Sequence, residues 1–242
     1  MKRLLCLIFA AVILIPAAAA QGWYCGKATE NSRPACPCDE NLLKENDAAY
    51  IGPDEKRVYL TFDAGYENGN VEKIRRVLKA RGVNGAFFVL KHFITANPEL
   101  VENLARDGNL ICNHTLSHRD PAKLGENEFR DEITGLEKLY REQTGREMAR
   151  FFRPPEGSYT PSTLKTAASL GYKTVFWSLA YADWDNSKQP DPDKALELIL
   201  KRVHNGAVIL LHPTSSTNAA ILDRLITELE SRGYSFGSLE EL

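Results

Sequence analysis

The chain has 242 residues, of which 43% are hydrophobic and 26% are charged. This composition is typical of a folded globular protein, so a mainly disordered chain is excluded, and the length fits one large domain or two small ones. The 30 Lys and Arg residues stand against 32 Asp and Glu residues, for a formal net charge of −2. Because there is no excess of basic residues, nucleic acid is not expected as a partner.

The first 20 residues have the pattern of a secretory signal peptide. Lys2 and Arg3 precede an apolar run over residues 4–15, and four alanines follow Pro16. The apolar run is shorter than the ~20 residues that a membrane-spanning helix needs. Cleavage near Ala20 is therefore favoured over a retained anchor, and we expect an exported mature chain without a stable membrane span.

Four cysteines remain after that cleavage, namely Cys25, Cys36, Cys38 and Cys112. Cys36 and Cys38 are too close in sequence to bridge easily, so a disulfide between Cys25 and one of them is expected in an oxidising compartment. The alternative is a metal knuckle made by these three thiols, which lacks a fourth ligand at a usual spacing. Cys112 lies in an apolar run and is expected to be a buried free thiol.

Residues 21–55 are polar and contain cysteines and prolines, which indicates an N-terminal extension rather than a domain. From residue 56 to residue 242, segments with strand-like and helix-like patterns alternate. Seven strand-like runs are predicted, near residues 58–62, 86–90, 110–113, 150–152, 173–179, 207–211 and 235–237. Six amphipathic segments predict helices, over residues 70–81, 98–107, 126–144, 160–170, 191–204 and 217–232. This alternation predicts an α/β fold with a parallel sheet, either a barrel or a doubly wound sheet.

Five polar clusters interrupt this pattern at the carboxyl ends of predicted strands or in the loops that follow. In chain order they are TFDAGY at 61–66, HTLSH at 114–118, RPPEG at 153–157, the Asp183-Trp184 pair and LLH at 210–212. In a parallel barrel, the carboxyl ends of the strands share one face, where active sites are built. The sequence therefore predicts that the five clusters form one site.

Several of these residues also have a plain structural explanation. His114 and His118 could be solvated loop histidines, yet their spacing lets two imidazoles face one ion. Asp63 could cap the end of a strand. Arg153 could be a surface cation, although two prolines follow it and hold it in a stiff segment.

The last two clusters have the same ambiguity. His212 ends an apolar run, where an imidazole without a partner would be costly. Asp183 could cap a turn, or it could orient His212 through one ring nitrogen. Trp184 could belong to the core, or it could form the wall of a sugar pocket.

In order and spacing, the five motifs resemble those of the polysaccharide deacetylases, the NodB-homology group that forms carbohydrate esterase family four. The resemblance covers residues 56–242 and implies a distorted (β/α)7 barrel, preceded by the short cysteine-containing extension. It also implies a hydrolase that removes acetyl groups from N-acetylated sugars with a divalent metal. TFDAGYENG, FWSLAYADW and the segment at 209–223 further resemble the branch that makes muramic δ-lactam in spore cortex peptidoglycan.

The resemblance assigns a role to each residue that matches a motif. Asp63 would be the general base, with its carboxylate held by Arg153. His212 would be the general acid, tuned by Asp183. The residues expected to bind substrate are Tyr66, Pro155, Glu156 and Trp184.

His114 and His118 would be metal ligands, with zinc as the expected ion. The first motif of the family usually reads TFDDG, and its second Asp is the third metal ligand. Ala64 occupies that position here, so we expect weak metal binding. The δ-lactam branch also tends to lack this Asp, so Ala64 is compatible with an active enzyme.

The expected function is N-deacetylation of N-acetylmuramic acid in peptidoglycan, outside the cytoplasm or in the cell wall, by a monomer that binds glycan strands. One alternative is deacetylation of N-acetylglucosamine in peptidoglycan or chitin. An alternative of another class is a sugar-binding wall protein with a decayed site. Among the motif positions, Ala64 alone favours this last hypothesis.

Overall fold

The computed structural model describes residues 20–25 and 31–242. The predicted signal peptide, apart from Ala20, lies outside the described residues. The strands of the described part are β1 (Gln21–Gly22), β2 (Ala48–Ala49), β3 (Arg57–Ala64), β4 (Ala86–Val89), β5 (Leu110–Asn113), β6 (Phe151–Phe152), β7 (Ser158–Tyr159), β8 (Lys173–Val175), β9 (Ala207–Leu211) and β10 (Ser235–Phe236). Its α-helices are α1 (Glu40–Glu45), α2 (Asn70–Arg81), α3 (Lys91–Ala96), α4 (Pro98–Arg106), α5 (Glu126–Thr144), α6 (Pro161–Ser169), α7 (Pro192–Arg202) and α8 (Ser216–Ser231).

The seven strands expected from the sequence form the parallel wall of a distorted barrel, which confirms the α/β barrel prediction. β9 pairs with one side of β3, and β4 and β10 pair with the other side. From β4 the wall continues through β5 and β6 to β8. Beyond the end of β8 the chain reaches β9, where Leu210 N donates to Leu179 O at 2.9 Å.

Part of the N-terminal extension is hydrogen-bonded into this wall. β2 pairs in parallel with β8, and Phe176 N donates to Ala49 O at 2.8 Å. A little further on, Ile51 forms an antiparallel bridge with Ala207 of β9. Residues 48–51 thus cover edges of β8 and β9 at the seam where these two strands separate.

The six helices expected from the sequence are present, with bounds that differ from the prediction by two residues or fewer. α2 ends at Gly82, whose φ of 65° is the left-handed conformation that commonly terminates a helix. α1 and α3, with six residues each, were not predicted, because so short a segment shows no helical period. No helix in the described part of the chain is long and apolar enough to cross a bilayer.

Side chains of β3 alternate between two apolar clusters. Val58, Leu60 and Phe62 pack in the main core together with residues of the surrounding helices. Tyr59 belongs to a second cluster, built mainly by neighbouring strands inside the barrel. Because successive side chains of a strand point to opposite faces, Asp63 shares the inner face with Tyr59.

The predicted disulfide is wrong for this structure, in which all four described cysteines carry free thiols. The Sγ atoms of Cys36 and Cys38 lie 3.4 Å apart, which is a hydrogen-bond contact and not a covalent bond. Cys25 instead lines a cavity at the end of the barrel, where burial raises the pKa of its thiol. Cys112 is fully buried, as predicted.

Candidate active site

An open cavity of about 720 Å³ lies at the carboxyl ends of the barrel strands. An adjoining cavity of about 260 Å³ shares several of its lining residues. The predicted site residues that line one or both cavities are Asp63, Tyr66, His114, His118, Glu156, Trp184 and His212. Arg153 and Asp183 are buried and hydrogen-bonded to two of these residues. The structure therefore brings residues of all five motifs together.

Asp63 is held by a guanidinium that is itself fully buried. Arg153 Nη1 lies 2.8 Å from Asp63 Oδ1. The other nitrogens of Arg153 donate to backbone carbonyls, Nε to Val175 O at 2.9 Å and Nη2 to Phe176 O at 3.2 Å. The guanidinium also lies over the ring of Phe88, 4.2 Å from its centroid. Because a buried charge is tolerated only with such partners, this set fixes the position of the guanidinium and of the carboxylate.

The charges around Asp63 set its protonation state. Burial raises the pKa of Asp63, but the charge and the hydrogen bond of Arg153, together with the charge of His212, outweigh burial, and the pKa lies below its ordinary value. The carboxylate is therefore ionised at neutral pH. With Oδ1 bound to Arg153, Oδ2 remains available to accept a proton.

His212 is held by the buried carboxylate of Asp183. Its Nδ1 lies 2.7 Å from Asp183 Oδ1, and its backbone N donates to Oδ2 at 2.8 Å. This contact places the proton on Nδ1 and leaves Nε2 for the cavity. Burial lowers the pKa of His212, but the hydrogen bond and charge of Asp183 outweigh burial, so the pKa is raised above the ordinary imidazole value.

Two residues that the sequence analysis did not single out support this pair. Asn218 Nδ2 donates to Asp183 Oδ2 at 2.6 Å and to His212 O at 3.0 Å. Tyr181 donates its hydroxyl proton to the side-chain oxygen of Asn218. Both residues are buried. The sequence does contain a signal, because Asn218 is an amide on the otherwise apolar face of α8.

His114 and His118 face each other across a short loop. Their rings meet edge to face, with centroids 5.0 Å apart. His114 Nδ1 lies 2.8 Å from Arg153 O, which leaves Nε2 without that proton and 3.7 Å from Asp63 Oδ2. Burial lowers the pKa of His114 to about 4, so the imidazole is neutral, the state in which it binds metals.

The loop that carries these histidines is held by a buried carboxylate. Thr115 and His118 both adopt left-handed backbone conformations, with φ of 73° and 60°. His118 N donates to Thr115 Oγ1 at 3.0 Å, and Thr115 N donates to Asn113 Oδ1 at 2.9 Å. Glu132 of α5 accepts from Ser117 N at 2.8 Å and from Ser117 Oγ at 2.5 Å. These bonds offset the backbone strain of the loop.

The donor set of this loop fits a divalent ion held by two imidazoles, with the rest of its coordination sphere open. Ala64 is fully buried, packs in the main core and offers no donor atom. In residues 20–25 and 31–242, no group of three or more His, Cys, Asp or Glu side chains is placed to hold a metal ion.

The residues expected to bind substrate differ in how far they are exposed at the two cavities. Trp184 and Tyr66 expose 63% and 42% of their surface, and the Tyr66 hydroxyl accepts from the side-chain amide of Asn186. Glu156 is exposed at the cavity, with a left-handed φ of 56°. Pro155 is buried and contributes no surface to either cavity as the described residues form it.

Comparison with known proteins agrees with this geometry. The family pattern described as "Polysaccharide deacetylase" matches residues 51–175. The peptidoglycan-N-acetylmuramic acid deacetylase PdaA of Bacillus subtilis is 36% identical, over 98% of this chain and 95% of that protein. The chain belongs to the polysaccharide deacetylase family. As a member of this family, it is a hydrolytic N-deacetylase.

Two solved structures and a further relative support the assignment to this family. The structure of Bacillus subtilis PdaA, a family 4 carbohydrate esterase, superposes with a TM-score of 0.88 over 92% of this chain and 96% of that chain, at 36% identity. A family 4 carbohydrate esterase from Bacillus anthracis gives a TM-score of 0.78 at 33% identity, covering 93% of this chain and 96% of that chain. A peptidoglycan-N-acetylglucosamine deacetylase of Bacillus cereus is 33% identical, over 80% of this chain and 71% of that protein.

Proposed function

We propose that the protein removes the acetyl group from N-acetylmuramic acid in peptidoglycan, releases acetate and so leads to muramic δ-lactam. The observation that carries this proposal is the pairing of Asp63 with Arg153 and of His212 with Asp183 at one cavity. The choice of muramic acid is supported by the similarity to PdaA, which extends over nearly the full length of both proteins.

Asp63 is the proposed general base. Its carboxylate is ionised, and Oδ2 can take a proton from the water that attacks the amide carbonyl. Arg153 keeps the carboxylate in place while its charge changes, because the guanidinium is fixed to two backbone carbonyls.

His212 is the proposed general acid. Its raised pKa keeps the imidazolium populated to a higher pH than in an ordinary histidine, and Nε2 can donate its proton to the amine that leaves. Asp183 stabilises the imidazolium and fixes its orientation through Nδ1. A carboxylate base and an imidazolium acid can therefore act in the same catalytic cycle near neutral pH.

His114 and His118 are the proposed ligands of a divalent metal, with zinc as the proposed ion. Such an ion, when bound, polarises the amide carbonyl and lowers the pKa of bound water. We propose weak binding, because Ala64 supplies no third ligand. The role of His114 in this scheme depends on its neutral imidazole, whose Nε2 carries a free lone pair.

Deacetylation prepares the sugar for ring closure. The freed amine at C2 lies beside the lactyl carboxyl at C3, and an amide bond between them, formed with loss of water, closes a six-membered lactam. This carboxyl is free only where no peptide is attached to it. We therefore propose a preference for glycan strands whose muramic acid has lost its peptide, as in the cortex of spores.

The proposed location follows from the substrate and from the N-terminal pattern. Peptidoglycan lies outside the cytoplasm, and residues 1–20 resemble a signal peptide that export would remove. We propose that the mature protein acts as a monomer in the cell wall or the secreted fraction.

Product analysis tests this function. The protein is incubated with peptide-free strands, with peptide-bearing strands and with an N-acetylglucosamine polymer, and fragments are analysed by mass spectrometry alongside acetate release. We expect loss of one acetyl group from muramic acid, fastest on the peptide-free strands, and at least ~10²-fold slower with Asp63→Asn. Acetate release from N-acetylglucosamine alone would favour the other deacetylase function, and binding of strands without acetate release would favour a wall-binding protein.

A further inference from the structure

Residues 21–25, which we call the N-terminal strap, contribute one wall of the active-site cavity through residues 23–25. Trp23, Tyr24 and Cys25 of this strap line the same cavity as Asp63. These residues lie outside the five sequence motifs, and they follow the predicted cleavage site directly. The wall that they form is therefore a feature of the active site that the motifs do not describe.

The strap is fixed to the barrel by its backbone and by one buried ring. β1 pairs with β7, and Trp23 N donates to Gly157 O at 2.9 Å. The Trp23 indole nitrogen donates to Trp177 O at 2.9 Å, and the ring stacks on Phe176 with centroids 4.3 Å apart. Trp23 is 5% exposed. The position of its neighbour Tyr24 is thus set by contacts that do not involve the Tyr24 ring.

The glycine of the RPPEG motif allows the strap to pack closely against this motif. Gly157 has a φ of 66°, and a Cβ atom there would lie 2.8 Å from Trp23 Cβ and 2.9 Å from Trp177 Cη2. Any larger residue would therefore displace the strap from the turn that carries Glu156. The strap and a motif loop of the active site are packed as one unit.

Exposed aromatic rings are concentrated at this cavity. Among the described residues, the large hydrophobic side chains that are exposed are Tyr24 at 66%, Trp184 at 63% and Tyr66 at 42%. Tyr24 lines the larger of the two adjoining cavities, Tyr66 lines the smaller one, and Trp184 lines both. A group of exposed rings at one place indicates a ligand surface. The C–H face of a pyranose ring can pack on such a side chain while its hydroxyl groups remain in water.

We propose that Tyr24 is a stacking platform for a pyranose that neighbours the muramic acid being deacetylated, on the same glycan strand. This inference rests on the proposed function, since it names a second sugar of that substrate. Because the strap is already anchored, little conformational entropy is lost when the sugar binds. The subsite therefore favours strands long enough to reach Tyr24 over free N-acetylmuramic acid, a monosaccharide that fills the catalytic position alone.

Kinetics on short and long substrates test the subsite. Acetate release is measured on free N-acetylmuramic acid and on long peptide-free strands, with Tyr24→Ala, Tyr24→Phe and the natural sequence. We expect Tyr24→Ala to raise KM for long strands by about tenfold with kcat unchanged, and to leave the reaction of the monosaccharide unaffected. Tyr24→Phe keeps the ring and should behave like the natural sequence, as should Lys138→Ala on the exposed face of α5.

Binding measurements separate this inference from the proposed function. Long peptide-free strands are titrated into Asp63→Asn and into the double variant that also carries Tyr24→Ala. We expect about tenfold weaker binding by the double variant. Trp23→Ala, checked for folding by thermal unfolding, should weaken strand binding similarly because it releases the strap.

Two outcomes would overturn the subsite, namely unchanged strand binding without the Tyr24 ring or an equal loss on short and long substrates. Failure of the natural sequence to release acetate would instead reject the proposed function. In that case, weaker strand binding without Tyr24 would still support the subsite.

Discussion

Each proposed proton-transfer group at the cavity has a charged partner, Arg153 for Asp63 and Asp183 for His212. By contrast, His114 and His118 are held through backbone hydrogen bonds, and their loop adopts left-handed conformations. The charged pairs fix protonation states, whereas the histidine loop keeps a neutral imidazole with a free lone pair. The proposed acid and base are thus each oriented by a charged partner from the chain itself, whereas the two proposed metal ligands leave room for further donors.

The first test of this comparison removes the negative charge of the proposed base, Asp63. Asp63→Asn keeps the shape of the side chain but removes its capacity to accept a proton. We expect turnover to fall by at least ~10²-fold, because general bases contribute this much or more. Acetate release measures the effect, and thermal unfolding verifies that the variant is folded. Turnover equal to that of the natural sequence would remove Asp63 from the role of base.

The second test removes one of the two imidazoles that are proposed to bind the metal. His114→Ala should weaken binding of zinc by more than the ~10–100-fold that loss of an outer-shell partner costs. Calorimetric titration of the metal-free protein measures the affinity. We expect the natural sequence to bind more weakly than nanomolar, and His92→Ala, an exposed histidine of α3, to leave binding unchanged. Nanomolar affinity, or equal affinity in His114→Ala, would contradict the prediction.

The third test removes the negative charge of Asp183, which is hydrogen-bonded to the proposed acid, His212. In Asp183→Asn, the group that raises the pKa of His212 is lost while burial still lowers it, so the pKa falls. His212 donates a proton only below its pKa, so activity declines at a lower pH than in the natural sequence. At neutral pH we expect about a tenfold loss of turnover.

A pH–rate profile measures the change, with Asp185→Asn as the matched control because the Asp185 carboxylate only caps the turn at Ser187. An unchanged alkaline limb would show that His212 is not the acid.

The smallest effect is expected at the support of the histidine loop. Glu132→Ala leaves two polar groups of Ser117 without their acceptor, so we expect a loss of about 1–3 kcal/mol in the free energy of unfolding. Denaturant unfolding measures this loss, and zinc titration should show weaker binding as well. Glu132→Gln, which keeps one acceptor, should lose less, and Asp131→Ala, exposed on the same helix, should be neutral. Equal stability of Glu132→Ala and Asp131→Ala would refute the supporting role.

The parts of the structure that could be predicted are those determined by the sequence of a single segment. β4 and β9 are continuous apolar runs, and α2 and α5 have the predicted bounds because glycines follow them. The five motifs could be placed on one face because parallel strands present their carboxyl ends together.

Other features depend on contacts between distant segments. Glu132 looks like a solvated helix residue, and its burial follows from packing against the loop at Ser117, although its place three residues after Phe129 on the apolar face is a signal. The disulfide prediction failed because pairing of β1 with β7 directs Cys25 to the cavity. Sequence spacing alone carries no information about such an orientation.

The strand pairing of residues 48–51 has a consequence for any shortened form of the protein. A chain that began at residue 56 would keep every motif but would lose the segment that covers β8 and β9 at their seam. The uncovered backbone groups would then be free to pair with strands of other molecules, and β9 is entirely apolar. We therefore expect a chain shortened in this way to self-associate more readily than the natural sequence.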